Sequence, residues 1–307
     1  MKTTIFLFGV WCSLYGCTKE KTDGYIPIAD LGQGTFLDMQ GGKYPGGSNN
    51  IPYGHLAAGM TSAHMGDRFE IFDAGNTDCM LILGFSTAAM TGTAFSHLYT
   101  LLQENGKLQI INGAQGGRDL RDMIEPGSTY WHGVDSALQA HAMDAASIRW
   151  IWMSTGERML RNVEFPQAAI QQMEDMRKCM ELLRDTFPAL EVVFLSDRTY
   201  AGYIDPHTNA APLAEPAAYF TSWSIKWLIE NQISGKPGYG YADLPFIDWG
   251  PNLWTNGTEG NQAGYTWQRS DVVKGGVHPS AKGRMKEAAL LYAFFSRSPY
   301  LEKYFNP

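Results

Sequence analysis

The chain has 307 residues, 44% hydrophobic and 18% charged, with a formal net charge of -7. This is enough apolar material for a large domain with its own core, and an acidic chain with no basic run argues against a nucleic-acid-binding protein. The 33 glycines, 9 tryptophans, 15 tyrosines and 15 phenylalanines suit a loop-rich enzyme better than a helical scaffold.

The N-terminus reads MKTTIFLFGVWCSLYGCTKEK. Lys2 makes a positive start, and residues 5–11 form an apolar run too short to hold a bilayer-spanning helix. The pattern is that of a secretion signal. Its end, Leu14-Tyr15-Gly16-Cys17, resembles a bacterial lipobox, which implies cleavage before Cys17 and lipidation of that cysteine. Acyl chains at about 0.8 kcal/mol per buried methylene would anchor the protein in the cell envelope. An ordinary signal peptide cleaved nearby is the alternative. Residues 1–16 are thus the expected signal, 17–31 a polar tether and 32–307 a single domain. Cys79 and Cys179 remain, and in an exported protein they either pair or stay as two buried thiols.

Residues 32–63 are rich in Gly, Pro and Asn and read as loop and turn with few regular elements. A rhythm of strands and helices follows. Residues 80–85 (MLILGF) form an apolar run typical of a strand buried on both faces, and 93–103 carry helical spacing. Further strands are expected at 108–111, 148–153, 190–195 and 244–247, with helices at 131–141, 167–186, 219–232 and 285–295. This alternation predicts an α/β fold, a three-layer α/β/α sandwich around a mostly parallel sheet of about five strands. Its loops at the strand C-terminal ends share one edge.

The first strand of that rhythm ends in Leu83-Gly84-Phe85-Ser86-Thr87. A serine on a turn between buried strand and helix holds its hydroxyl at the exposed sheet edge, where a nucleophile meets substrate. The helix start adds N–H groups and a dipole suited to a developing oxyanion. Capping the helix is the other role open to Ser86. The second strand ends in NGAQGGRD (112–119), whose glycines let backbone N–H groups approach a ligand. With neither a Walker lysine nor GxGxxG, a nucleotide enzyme is disfavoured. Near the C-terminus, GGVHPSAKG (275–283) delivers His278 to the start of a helix, with Pro279 suited to the first helical position. Histidine is the side chain fitted to general-base work; a loop histidine that only solvates the helix start is the alternative. The other histidines (55, 64, 97, 132, 141 and 207) show no HxH or HExxH spacing, so neither a metal nor another cofactor is expected. Trp249, Trp254 and Trp267 stand near Asp248, Asn252 and Asn256. Their flat faces with nearby amides suit sugar rings, or they pin a long loop to the core.

The order of strand-end serine, strand-end glycine loop, third strand end and late H-P-S-x-x-G resembles the SGNH (GDSL-like) hydrolases. More narrowly it resembles a bacterial branch marked by residues 44–49 (YPGGSN), 84–86, 112–117, 197–203 (DRTYAGY), 249–254 (WGPNLW) and 275–280. The likeness spans roughly residues 32–298 and implies an SGNH/flavodoxin-like fold. It also implies that Ser86 is the nucleophile, His278 its base, and the N–H groups of Ser86 and Gly117 the oxyanion donors. Two positions depart from the family. Its asparagine after the third strand is replaced by Met153-Ser154-Thr155-Gly156-Glu157, and loss of one oxyanion donor costs about 2.7–4 kcal/mol in the transition state. Its acid three residues before the histidine is replaced by Gly275. Asp271, seven residues before His278, is either a substitute acid or an ordinary loop carboxylate. The expectation is an exported serine esterase, Ser86–His278 with Asp271, that removes an acyl group from a carbohydrate. Trp249, Trp254, Trp267 and Asn252 would bind the sugar. The alternative is a surface lipoprotein that keeps the fold, has lost turnover and binds glycans.

Overall fold

A computed structural model describes residues 24–63, 78–103, 107–160 and 162–305; the expected signal, Cys17 and the tether up to residue 23 lie outside the described residues. In chain order the elements are α1 (Ile28–Leu31), β1 (Thr35–Phe36), β2 (Met39–Gln40), α2 (Tyr53–Ala63), β3 (Asp78–Gly84), α3 (Ser86–Leu102), β4 (Leu108–Asn112), α4 (Leu120–Met123), α5 (Thr129–Ala140), β5 (Ile148–Ser154), α6 (Gln167–Thr186), β6 (Val192–Leu195), α7 (Ala217–Ile233), β7 (Phe246–Trp249), α8 (Ala281–Phe295) and α9 (Glu302–Phe305). β1 and β2 form a small antiparallel ribbon. The other five strands make one sheet in the order β4-β3-β5-β6-β7, parallel at every pairing.

The protein is a three-layer α/β/α sandwich. Alternate residues of each central strand feed opposite cores because strand side chains have a period of two. Leu81, Leu83, Ile151, Met153, Val193 and Leu195 join the core that also holds α5, α6 and α7. Met80, Ile82, Trp150, Trp152, Val192 and Phe194 join the core shared with α3, α8 and α9. Strands buried on both faces read as continuous apolar runs, which is why they were legible in the sequence. From β3 the chain crosses to β4 at the sheet edge, then returns past β3 to β5. The β3 and β5 ends therefore flank the topological switch point, where open α/β sheets bind ligands.

Several boundaries differ from expectation; the helix expected from residue 93 already begins at Ser86, directly behind the β3 turn. The tether is shorter than residues 17–31, because Tyr25 stacks on Tyr219 at 4.7 Å and Ile28 is buried in the core. The segment read as loop holds α2, an 11-residue helix whose Gly54 and Gly59 weaken its intrinsic propensity. Gly59 is needed for packing, since a Cβ there would stand 2.4 Å from the Phe246 ring. The last strand begins at Phe246, two residues late, directly after Pro245. Helix α8 is capped by Ser280, whose Oγ accepts the Gly283 N–H at 3.2 Å, so Pro279 precedes the cap instead of opening the helix. Cys79 and Cys179 are separate free, buried thiols, each pushed up to about 12 chiefly by burial.

Candidate active site

β3 stops at Gly84, whose φ of 132° favours glycine. A Cβ there would lie 2.0 Å from the Ser154 carbonyl oxygen. Phe85, extended and without a side-chain cap, is the N-cap of α3, so Ser86 is the first helical residue and its hydroxyl does not serve as a cap. The first N–H groups of a helix have no intrahelical acceptor, so the Ser86 N–H points out at the switch point. The glycine loop after β4 is tied beside it. The Gly113 N–H donates to Ile82 O at 2.9 Å and the Gln115 N–H to Gly84 O at 3.0 Å. Gly116 of this loop stands beside the serine, where a Cβ would lie 3.8 Å from Ser86 Cβ. Gly117 follows at φ 77°.

His278 arrives on a tightly held loop. The Val273 N–H donates to His278 O at 2.9 Å, and the Ser280 N–H to Asp271 O at 2.8 Å. Gly276 has φ 75°, and a Cβ on it would run into the Tyr203 carbonyl. His278 Nε2 lies 2.9 Å from Ser86 Oγ, and both residues are half-buried. With Nε2 unprotonated, the serine hydroxyl donates to it, the geometry that removes the hydroxyl proton during attack.

Asp271 is not the acid of this pair. Its fully buried carboxylate lies 3.1 Å from the Lys282 ammonium and 2.7 Å from that of Lys286, and accepts the Gln268 N–H at 2.9 Å. Burial alone would raise this carboxyl. The Lys286, Gln268 and Lys282 donors outweigh it and hold the group below the usual carboxylate range. Among the described residues no carboxylate is hydrogen-bonded to His278, so the arrangement is a serine–histidine pair without a third member.

The tryptophans do not form a platform. Trp249, Trp254 and Trp267 are each 1% exposed. The Trp249 indole N–H donates to Lys43 O at 2.8 Å and that of Trp254 to Glu215 Oε1 at 3.0 Å. With their faces covered they cannot stack on a sugar ring; they pin the long loop to the core. Trp249, Trp254 and Asn252 do contribute to the wall of a cavity of about 610 Å³, which also receives Lys43, Tyr44 and Tyr265.

The anchor of this region is Asp197, two residues beyond the β6 strand end. Its buried carboxylate accepts the Leu253 N–H at 2.5 Å, the Trp254 N–H at 3.1 Å, Ser222 Oγ at 2.9 Å and Asn252 Nδ2 at 3.4 Å. Burial raises its carboxyl against those four donors. Sequence reasoning marked DRTYAGY without giving Asp197 a role; an acidic residue at a buried strand end was the available signal. No protein-family model matches the chain, and no curated protein matches it. The architecture is consistent with a hydrolase-type α/β domain.

Proposed function

We propose that the protein is a serine esterase of SGNH type acting on an acyl group carried by a carbohydrate. The observation that carries this reading is the 2.9 Å approach of Ser86 Oγ to His278 Nε2 across 192 residues of chain, at the switch point of the sheet. In the reaction Ser86 Oγ bonds to the acyl carbon while its proton passes to His278 Nε2. The carbonyl π pair moves onto oxygen, facing N–H groups of Ser86 and the 116–117 loop. As that pair returns, the ester C–O bond breaks, and the leaving alkoxide takes the proton from His278. A water then repeats the attack, giving up its proton to His278; collapse frees the acid and restores Ser86.

Without an acid on His278, the imidazole lacks an orienting partner and a stabiliser for its charged form. In a serine protease, replacing that acid with its amide lowers kcat about 10⁴-fold, so slow turnover is expected. The missing acid also favours a second reading, a glycan-binding protein that retains the fold. The carbohydrate half of the proposal rests on the exported, lipid-anchored location read from residues 1–17 and on the amide and ammonium groups that Asn252, Asn49 and Lys43 contribute to an otherwise largely apolar cavity. Release of acetate from a panel of acetylated glycans, alongside lipid esters, is the test. Acetate from at least one glycan is the predicted result; cleavage confined to the lipid ester would contradict it.

A further inference from the structure

Arg198 follows Asp197 beyond β6 and is 6% exposed. Its side chain crosses the end of β5, where a Cβ on Gly156 would stand 2.8 Å from its Cδ and 3.3 Å from its Nε. Only a glycine leaves that path open. The guanidinium carbon lies 5.3 Å from the centre of the Phe85 ring, the residue before Ser86. One N–H donates to Leu213 O at 2.7 Å, while Nε is buried without a partner. Among the described residues no carboxylate forms an ion pair with Arg198. Glu215, whose charge is felt there, is occupied by the Ala201 N–H, the Tyr219 N–H and the Trp254 indole. Burial pushes the guanidinium down to about 10, which still leaves it charged at neutral pH.

Glu215 is a nearby counter-charge that makes no hydrogen bond to Arg198. A buried guanidinium with an unpartnered N–H is costly, and Arg198 is held where it lines a crevice. Phe85 and Thr87, on either side of Ser86, line one part of this crevice, and Gly276 and Val277, just before His278, line another. At about 10 Å³ it has room for about one water-sized group. A carboxylate or a sulfate is too large for it; a single oxygen is not.

We infer that Arg198 is a catalytic residue that donates to the oxyanion formed when Ser86 attacks the acyl carbon. The inference rests on the esterase reading above. The negative charge exists only while the carbonyl π pair resides on oxygen, between attack of Ser86 Oγ and departure of the alkoxide, and no proton leaves the guanidinium. A donor to charge that develops in the transition state raises kcat and leaves substrate binding nearly unchanged. The unpartnered N–H of Arg198 thus receives an acceptor in the intermediate.

The test is the rate of covalent labelling by a fluorophosphonate, resolved into a binding constant and a maximal rate, with p-nitrophenyl acetate hydrolysis in parallel. The wild type is compared with Arg198→Gln, Arg198→Lys and Gly156→Ala, each checked by thermal melting. For Arg198→Gln the maximal rate and kcat should fall about 10²–10³-fold, with the binding constant and KM within about threefold. Arg198→Lys should recover part of the loss, and millimolar guanidinium should restore part of the Arg198→Gln rate, which a packing defect would not allow. A raised KM with unchanged kcat would overturn the inference and make Arg198 a ground-state anion receptor. Unchanged kinetics would overturn it in favour of packing alone. If the charge variants fail to fold, Gly156→Ala decides: it keeps the cation and displaces its Cδ, and an unchanged maximal rate would contradict the inference. A folded wild type that neither takes the label nor hydrolyses the ester would reject the esterase reading itself, and the role of Arg198 with it.

Discussion

Gly275 stands three residues before His278 with φ 92°, a backbone conformation that side chains rarely adopt. Its carbonyl accepts the Asp205 N–H at 3.0 Å, so the loop is held in that shape. An aspartate placed there is strained before it can reach the imidazole. Gly275→Asp should therefore lower stability by about 1–3 kcal/mol without raising the rate of fluorophosphonate labelling. Faster labelling with an unchanged melting temperature would show that the loop accepts a triad acid after all. At this scale Ser86 and His278 were paired by the order of strand-end serine, glycine loop and late H-P-S motif. Alone, each had another role open to it, a helix cap for the serine and a solvated helix start for the histidine. The structure brings the two side chains within 2.9 Å. Asp271 was not legible, because sequence distance says nothing of the two lysines that claim it. The tryptophans were not, because an indole that stacks on a ligand and one that fills a core read alike.

The separation of serine and histidine is set by two helices. α3 begins at Ser86, α8 begins three residues after His278, and the two pack against each other through the Phe95 and Phe295 rings, whose centres are 5.7 Å apart. Beside them the Thr91 hydroxyl donates to the buried carboxyl of Glu287. Burial, its largest cause, pushes the Glu287 carboxyl up to about 8, whereas an unfolded chain has it near 4.3. The folded state thus holds a proton that the unfolded state releases. The resulting stability is full below about pH 4.3, falls as pH rises and is lost above about pH 8. Glu287→Gln keeps the acceptor for Thr91 and removes the titration. Between pH 5 and 9 the variant should gain on the wild type, reaching a few kcal/mol, at about 1.4 kcal/mol per pKa unit. Melting curves with parallel pH dependence would contradict this. The sheet and most helices were legible because their apolar periodicity is strong. α2 was hidden because its glycines, read as loop signals, are there to bring it onto Phe246.

Across the whole molecule, the order β4-β3-β5-β6-β7 brings three separated segments to one place: the β3 end with Ser86, the glycine loop after β4 and the late loop with His278. Alternation of strands and helices predicted that shared edge, and the serine–histidine contact lies on it. Arg198 escaped notice because its meaning depends on lying across Gly156 from another strand, a juxtaposition that the local sequence does not display. The central claim is that Ser86 is an activated nucleophile. Its most direct measurement is the intact mass of the soluble protein, beginning after Cys17, following exposure to a fluorophosphonate, beside Ser86→Ala. The account predicts a single adduct on the wild type and none on the variant. A folded wild type that stays unlabelled, or an adduct that persists in Ser86→Ala, would contradict it.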